Sequence, residues 1–200
     1  MSTTGKKRDT YHHGALRTEL VDASVRLIES EGIGSVSLRR VAREAGVSPG
    51  APYHHFPNRA ALLSAIAAQG FRELAADIDA VGRTTRAAAA PALVRCYLDF
   101  ARRRPGHFQV MWRHELSEPE KHPDVQSAME EAFGALARLL HDVDAEDQAG
   151  LGTMLWALGH GLASLTLDHQ LDHTALKWDT TADDLVERCL TLVSGLAGRS

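Results

Sequence analysis

Hydrophobic positions recur at helical spacing along almost the whole chain, and proline and glycine cut that pattern into segments. Leu16, Leu20, Leu27 and Ile28 mark a first helix that stops at Glu31-Gly32. Ser37 then caps a short second helix whose inner face is Leu38, Val41, Ala42 and Ala45. A tight turn at Gly46-Val47 leads into a third helix, capped by Ser48 with Pro49 at its first position and ending near Phe56-Pro57. That is helix-turn-helix punctuation. Asn58 opens a longer fourth helix, a connecting strut whose stripe is Leu63, Ala67, Gly70, Leu74 and Ile78. Beyond a soft segment from Gly82 to Ala90, whose alanine run is read as a joint, further helices are predicted near 91–104, 105–116, 124–142, 147–171 and 182–197. With few alternating β-branched runs and no Asn-Gly or Asp-Gly hairpin signal, the fold class is all-α with about nine helices. The expected domains are 1–57, with 1–12 as a flexible arm, and 58–200.

The predicted helix 147–171 is apolar on two faces. Leu151, Leu155, Leu158, Leu162 and Leu165 form one, and Trp156, His160, Ala163 and Leu167 the other. Such a helix must be buried on several sides, and Gly150, Gly152, Gly159 and Gly161 permit close packing. The last helix offers Leu185, Cys189, Leu192, Val193 and Leu196. These two helices are therefore expected to pair with their symmetry mates in a four-helix homodimer interface.

Composition narrows the class without deciding it. The 200 residues are 44% hydrophobic and 24% charged, as in an ordinary globular protein. The formal charge of −4 is unevenly spread, since residues 1–59 hold nine Lys and Arg against six Asp and Glu. The basic end is the helix-turn-helix end. Two distant cysteines, Cys96 and Cys189, suggest neither a disulfide framework nor a cysteine zinc site, and a reducing cytoplasm is the expected location. Lys6, Lys7 and Arg8 lead into no apolar run, so export is not expected. The apolar stretch Leu151 to Leu167 falls short of the roughly 20 residues a bilayer crossing needs.

The run Ser37-Leu-Arg-Arg-Val-Ala-Arg-Glu-Ala-Gly-Val-Ser-Pro-Gly-Ala-Pro-Tyr-His-His-Phe56, followed by Asn58, Arg59, Leu62 and Leu63, resembles the DNA-binding domain of the TetR family. The resemblance implies that Ser37, Ser48, Tyr53, His54 and Arg59 hold backbone phosphates. It places Pro49, Gly50 and Ala51 nearest the base edges, with Arg39 as a further candidate. Small residues at Gly50 and Ala51 suit close approach to a major groove about 12 Å wide. For Tyr53 a core position is the alternative. Two positions depart from the family pattern: Pro52, where an aliphatic residue is usual, and Ala60-Ala61, where an acid is common. Pro52 has no amide to donate, so an irregular start to the recognition helix is expected.

Arg104 to Trp112 and Trp156-Ala-Leu-Gly-His160-Gly161 resemble the C-terminal domain of a TetR subgroup with a Trp-His-Gly signature. Phe108, Met111, Trp112, Trp156 and His160 would then line an apolar effector site with one titratable group. The alternative is ordinary core packing, with His160 a satisfied core histidine. The implied function is a ligand-released repressor that binds a palindromic operator as a homodimer, with no cofactor and no membrane partner. The rival class is a ligand- or metal-binding helical protein, or an enzyme, that does not read DNA. No G-x-S-x-G, Walker loop or H-E-x-x-H motif supports catalysis. His12-His13, His114/Glu115/Glu118/His122 and Asp168/His169/Asp172/His173 are read as solvated polar stretches, with a metal ion the alternative.

Overall fold

A computed structural model describes residues 6–82, 85–116, 118, 120–143 and 145–197. Among them there are nine α-helices and no strand: α1 (Lys6–Glu31), α2 (Leu38–Glu44), α3 (Arg59–Val81), α4 (Arg86–Arg103), α5 (Pro105–Met111), α6 (Pro123–Leu139), α7 (Ala145–Leu167), α8 (Gln170–Lys177) and α9 (Ala182–Ala197). Short 3-10 turns occupy Ile33–Ser35, Ala51–His54 and His114–Leu116. No helix among the described residues is long and apolar enough to cross a membrane.

The number of helices matches the expectation, but their identity does not. The segment after the Gly46 turn is a 3-10 turn starting at Ala51, capped from Gly50, and not an α-helix capped by Ser48 with Pro49 first. Pro52 supplies the reason. Its nitrogen has no hydrogen to give the Ser48 carbonyl, which accepts instead from the Ala51 N–H at 3.0 Å, the tighter i→i+3 closure. The ninth α-helix arises because the predicted 147–171 helix breaks. Its apolar stripe ends at Leu167, His169 adopts a left-handed conformation with φ 56°, and α8 starts at Gln170. The alanine run read as a joint lies inside α4, in keeping with alanine's helix propensity. The predicted 105–116 helix stops at Met111, and a 3-10 turn follows. Of the expected arm, 1–5 lie outside the described residues, while 6–12 belong to α1.

The chain forms two compact units, Met1–Gln69 with Gly106–Gln126 and Gly70–Pro105 with Ser127–Ser200. In the first, α1 packs on α2 and on Ile33–Ser35, and α2 packs on Ala51–His54. Leu20, Leu27, Ile28, Val41, Phe56, Leu62, Leu63 and Ile66 are buried. Both α2 and α3 start on a polar cap: the Ser37 hydroxyl accepts from the Arg40 N–H at 3.2 Å, and Asn58 Oδ1 accepts from the Ala61 N–H at 2.9 Å. Gly106 brings α5 against α1, where an added Cβ would lie 3.0 Å from Val25 Cγ1, and its N–H donates to Glu29 Oε1 at 3.2 Å.

In the second unit α4 packs against α7 and α9. Arg95–Glu187 at 2.7 Å and Arg102–Asp183 at 2.8 Å edge the α4–α9 contact. Arg138 makes a two-pronged pair with Asp79 at 2.8 and 3.1 Å, joining α6 to α3 and holding the Asp79 carboxyl below its ordinary range. At α9 the Thr181 hydroxyl accepts from the Asp184 N–H and donates to its carboxylate, closing a capping box.

Candidate nucleic-acid interface

The recognition turn is built around a residue that faces inward. Three residues per turn place Pro52 and His55 on one side of the 3-10 segment, so Pro52 is buried, His55 half-buried and Phe56 buried behind them. The opposite side is left to Tyr53 and His54, both exposed. Tyr53 is 51% exposed, which removes it from the core. Ser37, Arg39, Ser48, Pro49 and Gly50 are exposed as well, and Ala51 is half-buried. Gly46, at φ 67°, makes the left-handed turn that sets α2 against this segment. The Ser37 oxygen caps α2 while its own hydrogen stays available to an outside acceptor.

Arg59 is occupied differently from the other candidates. Its Nε donates to the Val36 carbonyl and its Nη2 to the Ile33 carbonyl, both at 3.0 Å, and its Nη1 lies 3.4 Å from Glu115. Two residues missed in the sequence belong with the exposed set. Arg43 is exposed one helical turn from Arg39, so i,i+4 spacing puts both cations on one face of α2, a signal the sequence carried. Arg17 lies over the Phe56 ring at 5.1 Å. Lys6, Lys7 and Arg8 sit at the start of α1, and their side chains lie outside the described residues.

In the polar stretch after α5, which the sequence predicts to be solvated, His122 is only 9% exposed. Its Nε2 donates to the Glu115 carbonyl at 3.1 Å and its Nδ1 meets the Ser64 hydroxyl at 2.6 Å. Glu118 pairs with Lys121, and Glu115 with Arg59 and Arg113. A groove of about 740 Å³ opens beside these residues, bordered by Arg17, His55, Asn58, Ser64, Glu118 and Lys121.

The expected effector residues fall in both units. Phe108 and Met111 are buried and Trp112 half-buried in the first. Trp156 and His160 are half-buried in the second, within a run of rings: Phe133 to Trp156 at 6.0 Å, Trp156 to His160 at 6.5 Å and His160 to Tyr97 at 6.2 Å. His160 Nδ1 shares a hydrogen bond of 3.1 Å with the Tyr97 hydroxyl, and burial pushes the His160 pKa down. Of the expected dimer residues, Leu155, Leu162 and Val193 are buried within their own chain, where α4 packs against both helices. Leu151, Leu158, Leu185 and Cys189 are half-buried and Leu192 is 69% exposed, while the Leu196 side chain lies outside the described residues.

The chain is similar to known proteins along most of its length. Residues 20–66 match the model of bacterial regulatory proteins of the tetR family, and residues 90–192 that of the tetracyclin repressor-like C-terminal domain. The chain is similar to the HTH-type transcriptional regulator BetI of Brucella anthropi, with 41% identity over 69 residues, 34% of this chain and 36% of that protein. The match thus spans about a third of that relative's length. A solved protein of unknown function from Rhodococcus sp. RHA1 superposes with a TM-score of 0.74 at 28% identity, over 92% of this chain and 96% of the other. The fatty acid degradation regulator FadR from Bacillus halodurans shares the fold, with a TM-score of 0.66 at 17% identity over 90% and 94% of the two chains. The C-terminal model alone covers more than half of the sequence, and with the N-terminal match it identifies the chain as a member of the TetR family of bacterial regulatory proteins.

Proposed function

We propose that the protein is a DNA-binding transcription repressor that works in the cytoplasm as a homodimer on a dyad-symmetric operator and is released by a small, largely apolar effector. The observation that carries the DNA reading is the exposed strip of Ser37, Arg39, Ser48, Pro49, Gly50, Tyr53 and His54, backed by the buried Pro52. Hydroxyls, a cation and a phenol suit phosphate oxygens, and the near absence of side-chain bulk at Gly50 and Ala51 suits base edges. Arg43 and Arg17 add positive charge to the same unit.

The homodimer rests on exposed apolar residues of α7 and α9: Met154, Leu165 and Leu192 face solvent in the single chain. Two recognition turns would then enter major grooves about 34–36 Å apart. The effector site is proposed on Trp156 and His160 of the second unit; Phe108, Met111 and Trp112 of the first are separate candidates for an effector contact. A His160 ring kept neutral near pH 7 offers a polar handle inside aromatic surroundings. Supporting this reading is the similarity to BetI, an HTH-type transcriptional regulator.

Duplexes selected from random DNA by the purified protein test the proposal. Half-sites related by a two-fold axis and separated by about 10–10.5 base pairs, or a multiple, are expected. An enriched sequence without dyad symmetry, or a monomer by sedimentation at micromolar concentration, would contradict it.

A further inference from the structure

The Arg59 guanidinium is a fork of five N–H donors that binds phosphate well, which is why family resemblance puts a phosphate there. In this chain all three of its nitrogens are turned onto protein. Nε and Nη2 hold the Val36 and Ile33 carbonyls, one and four residues before the Ser37 cap of α2. Nη1 faces the Glu115 carboxylate. The backbone of Glu115 is fixed in turn by His122, whose Nε2 must be the donor because a carbonyl only accepts. The other nitrogen of that ring is held by Ser64, little more than one turn along α3 from Arg59. Three segments are thereby tied together: the loop that delivers the α2 cap, the first turns of α3 and the 114–122 stretch. None of them touches another through sequence neighbourhood.

We propose that Arg59 is a positioning residue, not a phosphate ligand, and that with Glu115 and His122 it sets the pose of the helix-turn-helix from the 114–122 segment. The inference rests on the reading that the Ser37–His54 strip binds DNA. A guanidinium suits this role because its planar fork reaches two carbonyls and a carboxylate at once. An ammonium carries the same charge but cannot span them. Discrimination between DNA sequences needs base-edge groups placed to within about 0.5 Å. Non-specific binding needs only charge near phosphates. Loosening the clamp therefore costs selectivity before it costs general affinity.

The test uses the full-length protein, a duplex that the wild-type protein selects from random DNA, and an unrelated duplex of equal length, each titrated at several salt concentrations. For Arg59→Lys and Arg59→Ala, binding to the selected duplex should fall by about tenfold or more. Binding to the unrelated duplex should change by less than about twofold, and the slope of log K against log salt should not change. Glu115→Gln should lower the ratio of selected to unrelated binding by roughly two- to fivefold, the size expected for an exposed pair. Should Arg59→Ala fail to fold, Arg59→Lys and Glu115→Gln decide the matter alone. Full retention of selective binding by Arg59→Lys, with equal losses on both duplexes and a slope reduced by about 0.9 in Arg59→Ala, would overturn the assignment and restore Arg59 to phosphate. A rise in selectivity on Glu115→Gln would do the same, since that carboxylate would then be holding Arg59 off the DNA. If the wild-type protein selects no duplex at all, the DNA reading falls and the Arg59 assignment with it. If it selects one and the variants behave as phosphate ligands do, the Arg59 assignment alone falls.

Discussion

The two compact units differ in how their candidate sites are built. The first unit exposes small and polar groups over one short stretch, Ser37 to His54, which suits a phosphate backbone that is the same on every DNA duplex. Its chemistry is local in sequence. In the second unit, Trp156, His160, Tyr97 and Phe133 meet from three separate helices, and most of their surface is turned inward. A site assembled in this way by packing, such as the proposed effector site, carries little fixed motif. Substitutions on the exposed Ser37–His54 strip should therefore change DNA binding without unfolding the protein, while those at packed positions of either unit should act through packing and protonation.

The largest separation should come from Gly50→Glu. Gly50 has φ −85° and open space around its missing Cβ, so a side chain fits. A carboxylate beside phosphates should weaken operator binding by more than about 100-fold while the thermal midpoint stays within a few degrees. A tenfold or smaller loss would place Gly50 away from DNA. Next, Arg39→Ala and Arg43→Ala should each lower the salt slope of binding by up to about 0.9, as lost phosphate neutralisation does. An unchanged slope for both would remove α2 from the interface.

Packing variants sharpen the other side of the contrast. Gly106→Val in the first unit drives a branched side chain into Val25 and Glu29, which already lie 3.0 Å from an added Cβ, and should cost about 1–3 kcal/mol in urea denaturation. Gly159→Ala in the second unit meets the Tyr97 side chain at 3.3 Å, a milder contact. Helix propensity returns about 1 kcal/mol there, so a net change within about 1 kcal/mol is expected. The smallest effect concerns protonation. The folded pKa of His160 is below its ordinary value near 6.5, so the folded state binds the proton less readily than the unfolded chain. Its contribution is fully present above about pH 6.5 and is lost as pH falls through the folded value. His160→Phe should therefore flatten part of the stability loss between neutral and mildly acidic pH. An unaltered profile would show that His160 is as free to protonate as in the unfolded chain.

The same contrast governs how much was legible in the sequence. Ser37 and Asn58 as caps, the Gly46 turn and the inner faces of α1 and α3 could all be read, because each depends on residues three or four positions apart. Pro52 announced an irregular recognition segment, although not that the segment would close as a 3-10 turn with Pro52 itself inside. The partners of Arg59 were not legible for a different reason: Ile33 and Val36 lie more than twenty residues away, and they offer carbonyls that every residue carries. No side-chain pattern can mark them. Likewise the burial of His122 depends on Ser64, which helical periodicity cannot join to it. On α7 the apolar faces were visible, but which of them meets α4 is decided by packing, and so Leu155 and Leu162 turned inward.

Selection of genomic fragments by the purified protein near physiological salt, with the enriched sequence titrated against a scrambled duplex, tests the central claim most directly. A dyad-symmetric sequence bound about 10³-fold or more above the scrambled duplex, with Gly50→Glu abolishing that preference, is the predicted result. Equal affinity for both duplexes would contradict the account and leave the protein a helical ligand-binding member of its family that does not read DNA.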